Sequence, residues 1–155
     1  MKRIPLTQGQ YALVDDQDFE ELSQFKWYAQ WAPCTRSFYA ARNVRLPNGK
    51  DIGVYMHRHI LGLERGDKRQ ADHTNHNTLD NRHSNIRIVT PSQNRQNNRG
   101  KGYSWRKATK KYRAYITVNG VQKHLGCFDT PEEARDAYLD AKHTYHPTAP
   151  NLENA

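Results

Sequence analysis

DHTNHNTLDNRHSNIRIVTPSQN, residues 72–94, decides how this chain reads. It is crowded with groups that bind metals or move protons, and its one sustained apolar run is short. Ile86 to Val89 reads as a buried strand, because it is rich in β-branched residues and stops at a breaker. Thr90-Pro91-Ser92-Gln93 reads as a helix start: Thr90 as N-cap, Pro91 at the first helical position, Gln93 closing a capping box. Asn94 then falls in the first turn of a helix that directly follows a strand. Thr74 to Ser84 is a polar loop, and Asp72-His73 sits at the end of a short strand before it. The predicted order is strand, loop, strand, helix, with Asp72 and His73 at one end and Asn94 facing back.

These residues resemble the HNH nuclease family, in its phage and intron-encoded, homing-type branch. The carrying residues are Asp72-His73, Asp80-Asn81-Arg82, Asn85-Ile86-Arg87, Thr90 and Asn94, with Ile86 where that family has Leu. The resemblance implies an α+β chain with a ββα-metal core around one divalent ion. It implies His73 as general base, Asp72 and Asn94 as metal ligands, and Asn85 as the residue that orients the His73 loop. Phosphodiester hydrolysis needs a base to activate water and positive charge opposite the leaving oxygen. A carboxylate and an amide carbonyl are hard oxygen donors, suited to Mg2+ or Mn2+ rather than zinc. A neutral imidazole with an ordinary pKa of roughly 6.5 is a serviceable base near neutrality. Capping a helix explains Thr90 and Gln93 but leaves Asp72-His73 without a reason. Arg82, Arg87, Arg95 and Arg99, within or just after the motif, are candidate DNA contacts.

The totals agree with a polyanionic partner. The chain has 155 residues and a formal charge of +8, with a pI near 9.6 and a mean hydropathy of −1.06. With 35% hydrophobic residues, only small domains with thin cores are expected. There is no apolar run of ~18 residues, so no transmembrane span is expected, and Met1-Lys2-Arg3 is followed by no apolar segment of a secretory signal. Cys34 and Cys127 lie far apart and make no paired-cysteine zinc site. A reduced cytoplasmic setting, on the nucleoid of a bacterial host cell, is the simplest expectation.

Residues 1–56 read as a small mixed unit. Ile4-Pro5-Leu6 and Tyr11 to Val14 are strand-like pieces around Gly9. Asp15 or Asp16 can cap a helix whose apolar face is Phe19, Leu22 and Phe25. Trp27 to Trp31, Phe38 to Val44 and Ile52 to Tyr55 are strand candidates, the last two joined at Pro47-Asn48-Gly49. The aromatic residues here read as a core more readily than as a base-stacking surface. Met56 to Leu63 is a short helix leading into the motif. His57 is not counted as catalytic, and His76 and His83 stand evenly between phosphate binding and simple exposure.

After residue 98 the composition changes. The expected division is a nuclease part at 1–98 (motif 57–98), a basic linker at 99–101, a separate unit at 102–146 and a polar tail at 147–155. Asn98, one helical turn after Asn94, is the runner-up for the metal-side Asn. Tyr112 to Val118 alternates strongly, Asn119-Gly120 is a favoured hairpin turn, and Val121 to Leu125 is the return strand. Thr130 or Asp129 caps a helix with Pro131 in its first turn and a stripe of Ala134, Ala137, Tyr138 and Ala141. This unit resembles the APETALA-type (ethylene-response) DNA-binding domain. Gly102, Trp105, Tyr112 to Ile116, Leu125 to Phe128, Glu132 to Ala134 and Ala137-Tyr138 carry the likeness. The resemblance implies a three-stranded antiparallel sheet that enters the major groove, with a helix behind it. The candidate contacts are Arg106, Lys111, Arg113, Tyr115, Thr117, Gln122 and His124. Gln122 and His124 depart from the plant domains, so the plant target sequence does not carry over.

Together these features point to a site-directed endonuclease on double-stranded DNA, monomeric, of the phage or mobile-element kind. The rival reading is a non-catalytic DNA-binding regulator; the presence of Asp72, His73 and Asn94 together argues against it.

Overall fold

The computed structural model describes residues 1–97 and 100–146. The expectations placed on Asn98, Arg99 and the 147–155 tail lie outside the described residues. The chain divides into two compact units, Met1–Thr90 and Pro91–Ala155. The sequence instead places its linker at residues 99–101.

In the first unit, β1 (Lys2–Pro5) and β2 (Tyr11–Val14) form an antiparallel pair. Helix α1 (Asp16–Ser23) follows directly, with Asp15 as N-cap. The Asp15 side chain makes no capping bond there; it accepts the backbone N–H of His83 at 2.8 Å. A three-stranded antiparallel sheet comes next, β3 (Tyr28–Ala32), β4 (Ser37–Arg45) and β5 (Asp51–Tyr55), in the order β3-β4-β5. The turn between β4 and β5 closes at Gly49, whose φ of 79° is open to glycine at little cost. Helix α2 (Met56–Ile60) leads to the antiparallel pair β6 (Gln70–His73) and β7 (Ile86–Val89).

The core of this unit gathers Ile4, Val14, Leu22, Trp27, Ala40 and Met56, with Phe19 and Phe25 packed against it. Leu22 is 1% exposed, and burying one such side chain contributes ~1.5–3 kcal/mol. The aromatic-core reading holds for Trp27. It does not hold for Trp31, which is 48% exposed and packs edge-on against Phe38. A second correction concerns β7. Ile86 and Val89 are buried but Ile88 is 40% exposed, so the run is not buried throughout. Ile86 and Ile88 share a face of this two-stranded sheet, and only the Ile86 end of that face is covered.

Strand β2 does more than pair with β1. Leu13 donates its N–H to the Leu79 carbonyl and accepts from the Asn81 N–H, each at 2.8 Å. The polar loop between β6 and β7 is thereby laced to the N-terminal strand. The Thr78 hydroxyl donates to the Phe38 carbonyl and ties the same loop to β4.

The second unit begins with α3 (Pro91–Gln96) and contains β8 (Tyr103–Arg106), β9 (Lys111–Val118), β10 (Val121–Phe128) and α4 (Pro131–Tyr145). The sheet is antiparallel in the order β10-β9-β8. Asn119 and Gly120 both have positive φ, 51° and 82°, as a two-residue hairpin turn of this kind requires. Strand β10 runs three residues beyond the predicted Leu125. A bulge between His124 and Gly126 lets pairing resume, and Gly126 is required there: an added Cβ would lie 2.9 Å from the Phe128 ring. Thr130 is the cap of α4, and its hydroxyl and the Glu133 carboxylate form a reciprocal capping box. Ala134, Tyr138 and Ala141 are the buried stripe, against Ile116. Gly102, with φ of 76°, lets Tyr138 lie across the backbone; a Cβ there would sit 2.0 Å from the ring. Among the described residues no helix is long and apolar enough to cross a membrane.

Candidate active site

Asp72 and His73 are the last two residues of β6, and both are buried, 7% and 5% exposed. Strand register places Asp72 opposite Arg87 and His73 opposite Ile86. Arg87 donates to Asp72 Oδ2 from Nε at 3.0 Å and from a terminal nitrogen at 2.8 Å. Arg87, read from the sequence as a DNA contact, is therefore engaged inside the fold, holding the carboxylate beside His73.

The loop after His73 is built on Asn85. Its Oδ1 accepts from the Thr74 hydroxyl at 2.9 Å and from the Asn75 N–H at 3.0 Å. Its Nδ2 donates to the Asp80 carbonyl at 2.7 Å, and its own carbonyl accepts the Thr74 N–H at 2.9 Å. One side chain thus spans both ends of the loop that begins at His73.

Asn81 is fully buried, at 0% exposure, and is a site residue that sequence reasoning missed. Its Nδ2 donates to the Leu79 carbonyl at 3.1 Å, which turns Oδ1 toward His73 Nε2 at 3.4 Å. An amide oxygen is an acceptor only, so this orientation suits the imidazole tautomer with its hydrogen on Nε2 and a lone pair on Nδ1. Burial lowers the His73 pKa, partly opposed by the Asn81 bond and by the charges of Asp72 and Asp80. The ring is accordingly neutral at neutral pH, the state a proton acceptor needs.

Asp80 and Arg82 pair closely. Nε donates to Oδ1 at 2.7 Å and a terminal nitrogen to Oδ2 at 2.6 Å. Arg82, the other motif arginine assigned to DNA, holds this loop as well. Its hydrogen bonds and charge hold the Asp80 carboxyl below the usual carboxylate pKa of 3.8. A carboxylate with a depressed folded pKa contributes stability above its unfolded pKa and loses it as pH falls through the folded one. Asp80→Asn should therefore lower the melting temperature at pH 7 and leave it less dependent on pH below about 4. Thermal melts between pH 7 and pH 2 check this, and parallel curves for the two proteins would refute it.

Asn94 lies in α3, half-buried, and Arg95 is exposed in the last turn of that short helix. His83 is exposed and lies beside an acidic side chain of α1. Its Nε2 lies 3.0 Å from Asp18 Oδ2, and Asp15, Asp18 and His83 bring potential ligand atoms within 4.8 Å of one another. His57 is buried against His73, ring centroids 4.7 Å apart. Nothing local in the sequence announced that contact, since it joins α2 to β6.

The stretch that forms this site matches a known family. A profile described as HNH endonuclease matches residues 54–96. An uncharacterised HNH endonuclease of Acanthamoeba polyphaga mimivirus is 30% identical over 140 residues, covering 84% of this chain and 67% of the relative. The chain belongs to the HNH endonuclease family. No solved structure matches it. As an HNH endonuclease it is a DNA nuclease, and such nucleases generally use a divalent metal. The matched segment of this HNH endonuclease opens in β5 and carries α2, β6, β7 and α3, so His57 falls within it.

The nuclease's second unit presents a polar sheet face. Register pairs Arg106 with Lys111, Thr117 with Gln122 and Tyr115 with His124. Side-chain alternation puts these six, with Arg113, on the face away from Ala114 and Ile116, which α4 covers. Lys111 is partly engaged, 3.1 Å from Asp129. His124 Nε2 lies 3.6 Å from the Cys127 thiol. The seven sheet residues assigned to DNA share one surface, a placement that follows from period-2 alternation and strand register.

Proposed function

We propose that this HNH endonuclease hydrolyses phosphodiester bonds of double-stranded DNA, with His73 as general base. The observation that carries this reading is the buried His73, neutral, beside Asp72, with Nε2 turned to the Asn81 carbonyl. His73 Nδ1 takes a proton from water as that water's oxygen attacks phosphorus, the bond to the 3′-oxygen breaks, and the 3′-oxygen takes a proton from a second water; His73 then returns its proton to solvent. The products carry 5′-phosphate and 3′-hydroxyl ends. Asp72 and Asn94 offer hard oxygen donors for Mg2+ or Mn2+, which when bound supplies positive charge to the phosphate oxygens. Asn85 orients the His73 loop. A plasmid-nicking assay with and without magnesium tests the reading, and intact plasmid under every metal condition would favour a regulator that only binds DNA.

The second unit reads DNA through the β8-β9-β10 face, as its likeness to APETALA-type domains suggests. Arg106 and Arg113 meet phosphate or base edges, and Tyr115, Thr117, Gln122 and His124 lie between them. A compact nuclease with its own reader suits a phage or mobile element that cuts a chosen site, working as a monomer in the host cytoplasm. Removal of residues 102–155 is expected to weaken binding and site preference while the chemistry survives. Each lost phosphate contact should flatten the salt dependence of binding by about 0.9 in log–log slope. Titrations of duplex DNA across salt concentrations measure it; an unchanged slope together with an unchanged cleavage pattern would rule the reader out.

A further inference from the structure

His57 belongs to α2, whereas His73 ends β6, yet their imidazoles meet edge to face at 4.7 Å and 65°. The His57 ring also stacks on Tyr55, centroids 5.6 Å apart and planes at 26°. Tyr39 of β4 touches both histidines, at 5.7 Å from His57 and 6.0 Å from His73. His57 is 6% exposed, and its Nδ1 is buried without a hydrogen-bond partner. Burial first, then the neighbouring His73 and Arg58, push its pKa down to about 3. At the pH of DNA cleavage the ring carries no charge, so it forms no ion pair with phosphate and gives up no proton. What it offers His73 is an uncharged planar ring, itself stacked on Tyr55.

Among the described residues, contacts of two different kinds hold the His73 ring. Asn81 fixes one ring nitrogen, and His57 with Tyr39 occupies the flanks. A hydrogen bond of 3.4 Å is long and by itself fixes a ring orientation only weakly. The aromatic contacts restrict it further. A general base must sit within hydrogen-bond reach of its water, and a small misplacement costs rate without costing affinity.

We propose that His57 is a positioning residue of the nuclease, whose ring packs against His73 and holds its imidazole in the orientation that accepts the proton. The proposal rests on the reading of His73 as base. It makes turnover depend on the shape at position 57 and leaves DNA binding independent of it.

The test uses the full chain on duplex DNA with magnesium. His57→Ala is expected to lower kcat about 10- to 100-fold, with KM and the binding constant for uncut DNA within about twofold of wild type. His57→Phe keeps a flat ring and should recover activity to within about threefold. Side-chain nitrogen spectra, with the His73 signals assigned by their loss in His73→Ala, should show those signals shifted or broadened in His57→Ala and near wild type in His57→Phe. If His57→Ala does not fold, His57→Leu takes its place, filling the volume without a planar ring. Wild-type turnover in the Ala or Leu variant, unmoved His73 signals, or a Phe variant as slow as Ala would each overturn the proposal. The base reading fails separately, through a His73→Ala enzyme that still cuts; the His73 signals in the His57 variants then still decide whether the contact orients the ring.

Discussion

His73→Ala is expected to slow single-turnover cleavage by ~10²–10⁴-fold, the usual size of base catalysis. The site explains why the loss should be specific. His73 is buried and neutral, and one ring nitrogen faces the Asn81 carbonyl. One uncharged imidazole adds little to an interface dominated by phosphate contacts, so DNA binding should barely change. The substitution also removes a ring packed against His57 and Tyr39, so folding must be checked by circular dichroism and a melting curve. A folded His73→Ala enzyme that cuts at the wild-type rate would reject the assignment and send the search to His57 and His76. His83 is a weaker alternative, because it already lies against Asp18.

Chelation has the second large effect. Removing divalent ions should abolish cleavage, and magnesium or manganese should restore it, because the proposed ligands Asp72 and Asn94 are hard oxygen donors. Asp72→Ala and Asn94→Ala should each raise the metal concentration for half-maximal cleavage by at least about 10–100-fold, the loss seen when even outer-shell groups are removed. Asp72→Ala carries a second consequence, since it leaves the Arg87 guanidinium without the carboxylate it holds by two hydrogen bonds. Removing one member of a half-buried ion pair is costly, so this variant should also melt earlier than Asn94→Ala. Full cleavage in excess chelator would sink the metal proposal outright. Unaltered metal dependence in both variants would leave a metal requirement but place the ion elsewhere.

Local features were the most legible. The β-branched run from Ile86 to Val89, the Asn119-Gly120 turn and the Thr130–Glu133 cap each encode their structure within a few residues, and each occurs where its chemistry put it. The sharing of one sheet face by Arg106, Arg113, Tyr115 and Gln122 followed from alternation in the same way. Partnerships set by register or by distant segments were not legible. Arg82 and Arg87 read as free cations, yet each finds a carboxylate inside the motif, one two residues away and the other across a strand pair. The burial of His57 against His73 and the seating of His83 on α1 depend on how separate elements meet. The length of β10 depended on a bulge at Leu125 that no periodicity announces.

The bonds of Leu13 to Leu79 and Asn81 bear on how this nuclease can be cut apart and rebuilt. The segment that matches the family begins at residue 54, but the loop holding Asn81 is stitched to a strand more than forty residues earlier in the chain. A cassette trimmed to 54–96 would lose the backbone that fixes Asn81 and the tyrosine of β4 that flanks His73. Grafted into a foreign protein, such a cassette would carry the chemical groups without their alignment. A portable cutting module from this chain has to start at β1, and a split reporter divided near residue 50 should regain cutting only when its halves reassemble.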